Sequence, residues 1–155
     1  MHTTPLLHDG RLYLQLIHAR AAVVVAIDAA TAKEVWKVER KSDGHSECLH
    51  SYASPCLWRQ GGTARLITHG NDYAVAHDLA DGAEIWRAVD LNPKSRYNAT
   101  LRFVASPVAT ENLIVVPTAK NGAVVGVKPG AAGLVAAGST GELWRLPSGT
   151  PDVPS

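Results

Sequence analysis

The sequence has no block of like charge, no membrane-length apolar run and no stretch that holds a helical period over three turns. Its 15 basic and 14 acidic residues are spread along 155 positions, for a net charge of +1. Nothing in that distribution predicts binding to nucleic acid or to an anionic membrane, and no span is long enough to cross a bilayer. The amino-terminal stretch MHTTPLLHDG lacks a basic segment followed by an apolar one, so no signal peptide is visible. Cysteine is scarce. Cys48 and Cys56 leave the redox compartment open and permit one disulfide without implying it. There is no G-x-S-x-G, and the glycines at 130, 133, 138 and 141 fit neither a dinucleotide fingerprint nor a phosphate loop. Nothing therefore supports a hydrolase. With 46% hydrophobic and 19% charged residues the composition is globular, and the length suits one domain with a real core.

What the chain does contain is a repeat. AIDAATAKEVW at 26–36 returns as AHDLADGAEIW at 76–86, mapping Asp28 to Asp78, Glu34 to Glu84 and Trp36 to Trp86. Lys128 continues the series from Asp28 and Asp78, and Trp144 follows Trp36 and Trp86. A small hydroxyl residue before proline recurs as Thr4-Pro5, Ser54-Pro55 and Ser106-Pro107. The third unit is lengthened by the glycine- and alanine-rich stretch 129–141, which reads as a flexible excursion between strands.

Each unit reads as four short strands joined by tight turns. In the second, turn signals stand at Gly61-Gly62, Asn71-Asp72 and Asp81-Gly82. Asp9-Gly10, Glu111-Asn112 and Asn121-Gly122 mark turns in the other units, and Val23-Val24-Val25 argues for strand over helix. Four-stranded antiparallel units of about 50 residues are propeller blades, which must stack on neighbours to cover their faces. That requirement assigns structural roles. Trp36, Trp86 and Trp144 lie on outermost strands and lay their indoles across the adjoining unit. Ala26 and Ala76 leave room beside them. Asp28 and Asp78 hold backbone N–H groups of the turn, and Gly82 takes its positive-φ position. Ala32 stands there in the first unit, at a modest cost if the backbone is kept.

The pattern A-x-D-x-x-T-G-x-x-x-W resembles the tryptophan-docking signature of the pyrroloquinoline quinone (PQQ)-like propeller repeats. It reads Ala26, Asp28, Thr31, Ala32 and Trp36 in the first copy. The second is Ala76, Asp78, Asp81, Gly82 and Trp86, and the third is degenerate from Gly126 to Trp144. The resemblance implies an all-β fold: a partial β-propeller of about three four-stranded antiparallel blades, at 1–50, 51–102 and 103–155, in one segment of a seven- or eight-bladed ring. Three such units do not close a ring, so the chain reads as a fragment or as a short product that needs partners, with PDVPS standing where a further Ser-Pro would begin. The family includes quinoprotein alcohol dehydrogenases and the propeller subunit of the outer-membrane assembly machinery. Of the dehydrogenase hallmarks, the sequence has no adjacent cysteine pair and no C-x-x-C-H haem site.

The reading favoured is accordingly a non-enzymatic scaffold for protein or ligand binding, periplasmic or secreted by resemblance, with no cofactor. Its partners would be the other blades of a parent propeller or partner proteins. The alternative is part of a PQQ-dependent alcohol or sugar dehydrogenase, for which PQQ and calcium would be required. No catalytic, cofactor-binding or metal-ligating residue is assigned. Chemistry would sit on the loops 40–52 and 90–102. There His45, Cys48, His50 and Cys56 have a spacing that matches no standard zinc site. Asn71, Asp72 and Lys120-Asn121-Gly122 read mainly as turn formers, Arg96, Tyr97, Asn98 and Arg102 as a polar loop, and Asn98-Ala99-Thr100 as a sequon.

Overall fold

The computed structural model describes residues 3–151. Of the terminal PDVPS stretch only Pro151 lies among them, so the expected further Ser-Pro falls outside the described residues. The chain is nearly all β. The first sheet contains β1 (Leu6–His8), β2 (Arg11–His18), β3 (Ala21–Asp28) and β4 (Glu34–Glu39), paired in that order. The second contains β5 (Cys56–Gln60), β6 (Thr63–Gly70), β7 (Tyr73–Asp78) and β8 (Glu84–Ala88), with β12 (Gly133–Val135) added outside β8. The third contains β9 (Val108–Thr110), β10 (Leu113–Pro117), β11 (Val124–Val127) and β13 (Glu142–Leu146). Single 3-10 turns at Ser46–Leu49 and Lys94–Arg96 lie in the long loops.

Turn chemistry sets the hairpins. Asp9-Gly10, Gly61-Gly62 and Asn71-Asp72 all take positive φ at both positions, matching the right-handed twist of two-residue hairpins. In all three sheets the register shifts once between the third strand and the docking-motif strand, after Ala26, Ala76 and Gly126. The bulge keeps the tryptophan opposite that small residue: Trp36 pairs with Ala26, Trp86 with Ala76, Trp144 with Gly126.

The apolar core lies in the seams between sheets. Tyr13, Val24, Ala26 and Trp36 of the first sheet pack with Leu66 of the second. Ile67, Ala76 and Trp86 of the second pack with Ile114, Val125 and Val127 of the third. A polar clasp repeats beside these seams. The Thr4 N–H donates to Ser54 Oγ at 2.9 Å, and the Ser54 N–H donates to Ser106 Oγ at 2.8 Å. The hydroxyl–proline repeat thus ties each unit to the next.

The stretch 129–141 differs from its expectation. It contributes β12, which pairs in parallel with β8, Gly133 opposite Trp86 and Val135 opposite Ala88. Val89 N then donates to Val135 O at 3.0 Å. Glycine and alanine carry little strand preference, so this pairing comes from tertiary context: Ala131 and Val135 close over the core containing Trp86.

Candidate functional site

The tight turns between second and third strands, 70–73 among them, share one end of the sheets with the long loops 40–55 and 89–107. Three buried polar groups make that end rigid. Gln15, on the inward face of β2, donates through Nε2 to Ser51 Oγ (3.0 Å), Ala53 O (2.8 Å) and His69 O (2.8 Å), and accepts from His69 N at 3.0 Å. Arg40, leaving β4, is buried. It donates to Thr68 Oγ1 (3.0 Å), Gly70 O (2.7 Å) and Tyr73 O (2.5 Å). Burial pulls its guanidinium down to about 9, still a cation at neutral pH, and neutral acceptors solvate it where a carboxylate would be usual.

Arg40 therefore holds the hairpin that presents Asp72. This carboxylate is 2% exposed. It accepts from Tyr97 Oη at 2.7 Å and Asn92 Nδ2 at 3.0 Å, with Lys94 Nζ at 3.7 Å. Lys94 also reaches Asp43 at 3.1 Å and lies over the Tyr97 ring. Tyr73 Oη donates to Asp43, which draws that carboxyl below its ordinary range. Burial, with the hydrogen bond to Asp43 next, pushes the Tyr73 phenol up to about 12, and burial likewise raises Tyr97. The small cleft between these groups holds about 120 Å³, the room of a few waters. A larger open groove of about 780 Å³ lies at the opposite end of the sheets, around Arg59, Arg65, Asp78 and Glu111. Its charges are mixed, and they lie apart from the polar network of the long loops.

These carboxylates do not fit a calcium ion as they stand. Both Asp72 oxygens are taken by donors, and the Lys94 ammonium already sits between Asp72 and Asp43. Nor do the histidines and cysteines of 45–56 converge. Among the described residues no three His, Cys, Asp or Glu side chains come together as a metal set. Cys48 and Cys56 are free thiols, and burial raises Cys48 and pushes Cys56 up to about 12. Cys48 faces Asn98 O at 3.4 Å, and the His45 ring packs 4.4 Å from that of Tyr97. Asn98 closes a turn on Thr100, and Arg102 pairs with Glu47 at 2.8 Å. Arg96 is exposed.

The motif residues lie at the opposite end and along the outer strands. Asp28 Oδ1 accepts from Thr31 Oγ1 (2.7 Å), Thr31 N (2.8 Å) and Ala30 N (3.2 Å), and these bonds hold its carboxyl below the ordinary value. Asp78 Oδ1 accepts from Ala80 N at 2.8 Å. Trp36, 8% exposed, donates from Nε1 to Leu79 O of the second sheet at 3.0 Å. Gly82, at φ +79, lies under its ring, where an added Cβ would fall 2.7 Å from Cε3. Trp86 is 1% exposed under Ala131 and Val135, and its Nε1 has no acceptor. Trp144 is 38% exposed. Gly82→Ala is expected to cost about 2–3 kcal/mol, measured by urea unfolding, because it adds left-handed strain to overlap with a rigid ring.

The sequence reading missed Gln15, Arg40, Asn92 and Lys94. A signal was present for Gln15: in RLYLQLIH it is the polar residue among the inward positions of Tyr13 and Ile17. Arg40 gave none, since arginine at a strand end is ordinarily solvated.

Residues 1–151 match the family model described as outer membrane protein assembly factor BamB. A curated relative, quinohemoprotein alcohol dehydrogenase ADH IIB of Pseudomonas putida, is 28% identical over 153 residues, covering 94% of this chain. The chain spans 20% of that relative's length. Among solved structures, quinohemoprotein alcohol dehydrogenase from Comamonas testosteroni superposes with a TM-score of 0.62 at 16% identity, over 93% of this chain and 20% of that one. BamB from Moraxella catarrhalis gives 0.53 at 16% identity, over 89% and 33%. These likenesses carry the fold: the three sheets are part of a propeller. With the family model matched over 1–151, the chain belongs to the PQQ-like propeller family whose model is described as outer membrane protein assembly factor BamB.

Proposed function

We propose that this chain is a non-catalytic propeller scaffold working outside the cytoplasm, its units docked through Trp36 and Trp86 and its long-loop end offered to a protein partner. One observation carries the reading. The carboxylates on that end are consumed internally, by Tyr97, Asn92, Lys94 and Tyr73, so the network serves to fix loop shape. Loops held in one shape lower the ordering cost of binding. Arg96 stands exposed in the loop 90–102, a cation placed for an acidic partner segment. None of the described helices is long and apolar enough to cross a membrane.

The second reading, part of a PQQ-dependent dehydrogenase, is favoured by the 28% identity to ADH IIB across 94% of the chain. One assay separates them. The parent protein that contains this chain is loaded with PQQ and calcium and dye reduction is followed with primary alcohols. The scaffold reading expects no reduction above a PQQ-only control; PQQ-dependent turnover contradicts it.

A further inference from the structure

The seam between first and second units depends on the absence of one methyl group. Trp36 lies flat over Gly82, with Nε1 on Leu79 O, and a Cβ at 82 would come within 2.8 Å of two ring carbons and 2.9 Å of Val38 Cγ1. The third sheet presents the matching knob. Trp144 stands opposite Gly126 on its outer strand, as Trp36 stands opposite Ala26, and it is partly exposed, two positions along β13 from the exposed Leu146. The first sheet has the matching turn but not the matching residue. Ala32 N donates to Asp28 O at 2.9 Å just as Gly82 N donates to Asp78 O at 3.0 Å, so the two turns have the same form. Ala32 is at φ +57 and Gly82 at φ +79. The methyl of Ala32 therefore occupies the place where a docked indole would lie.

We propose that the Trp144 face takes a unit of this same repeat with glycine at the place of Gly82, and that Ala32 stops it from taking the first unit of a second copy. Continuity with the seam already in the molecule identifies the occupant: a four-stranded unit, a glycine turn, and a serine or threonine hydroxyl placed to accept the Ser106 N–H as Ser54 and Ser106 accept theirs. The chain has that hydroxyl in Thr4 and lacks only the glycine. A single methyl then decides whether copies join head to tail. The inference rests on the reading of Trp36 as a docking residue.

Three forms of the 155-residue chain test it in analytical ultracentrifugation: wild type, Ala32→Gly, and Ala32→Gly with Trp144→Ala. The wild type should sediment with a mass independent of concentration. Ala32→Gly should self-associate at least about tenfold more tightly, with a blue shift of indole emission, and the added Trp144→Ala should abolish both. Ala32→Gly removes a left-handed alanine, so folding is not at risk, and circular dichroism checks it. Wild-type association through Trp144, an unassociated Ala32→Gly chain, or association that survives Trp144→Ala would each overturn the proposal. A parallel unfolding measurement on Trp36→Ala keeps the two ideas apart. If that variant loses stability while Ala32→Gly stays monomeric, the docking reading stands and this inference fails.

Discussion

Replacing Trp86 by alanine should lower the unfolding free energy by about 3–5 kcal/mol, the cost of removing a large buried aromatic. The ring is 1% exposed and sits in the larger seam with Ile114, Val125, Val127 and Phe103, closed over by Ala131 and Val135 from the β12 excursion. No hydrogen bond is lost, since Nε1 has no acceptor. That orphan sets a second expectation. Trp86→Phe removes a buried unsatisfied donor along with part of the ring, so it should cost under half of what alanine costs. Trp144→Ala should change stability by under about 0.5 kcal/mol, because that ring is partly in solvent and has no sheet over it. Urea unfolding of the three variants checks the ranking; equal losses for Trp86 and Trp144 would refute it.

Acid should destabilise the chain well before its carboxylates titrate. His69 and His77 are buried, and burial is the main cause that pulls them from 6.5 to about 3 and about 4, with the Arg40 cation lowering both further. For His77 the Gly82 carbonyl and Glu84 pull the other way, and Arg87 adds to the lowering. His77 Nδ1 is 3.0 Å from Gly82 O, an acceptor only, so the neutral ring carries its proton there and takes the Thr68 hydroxyl on Nε2 at 3.0 Å. A second proton would make Thr68 Oγ1 accept from both His77 and Arg40.

His69 occupies in the second unit the place of Gln15 in the first, two residues beyond the partner of Ala76 as Gln15 is beyond the partner of Ala26. Its ring nitrogens make no well-formed hydrogen bond, although the backbone of Pro117 and of Tyr73 lies near enough to oppose the lowering. The repeat explains why. Gln15 uses Ser51 Oγ and the His69 N–H, whereas the corresponding neighbours of His69 are Phe103, packed edge-on at 5.1 Å, and Pro117, which has no N–H.

Below pH 6.5 the unfolded chain binds protons on both rings and the folded chain does not. Stability therefore falls as pH drops from about 6.5, by about 2 kcal/mol per histidine at pH 5, and the loss levels off below the folded values of about 4 and about 3. The lowered carboxyls of Asp43 and Glu84 add their share only near and below their ordinary values of 3.8 and 4.5. Urea midpoints at pH 7 and pH 5 read the histidines nearly alone, and His69→Gln should remove about half of the difference. Equal midpoints at the two pH values would contradict both assignments.

The sheet architecture was legible because its determinants are local or periodic. Asp28 and Asp78 bond their own turns, Gly61-Gly62 and Asn71-Asp72 force hairpins, and the tryptophans recur with the unit. The rigid loop end was not legible. Asp72 reads as half of an Asn-Asp turn, and only the fold brings Tyr97, Asn92 and Lys94 to it from residues 92–97. β12 was illegible for a related reason: its pairing energy comes from β8, which lies about 50 positions earlier in the chain.

The central claim is that the first unit is held by an indole seated on the turn of the second. A double-mutant cycle of Trp36→Ala and Gly82→Ala tests it most directly. The account predicts that Gly82→Ala, costly in the parent chain, retains only its backbone strain once the indole is gone, a coupling of about 1 kcal/mol or more. Strict additivity of the two losses would mean that the ring does not rest on that turn.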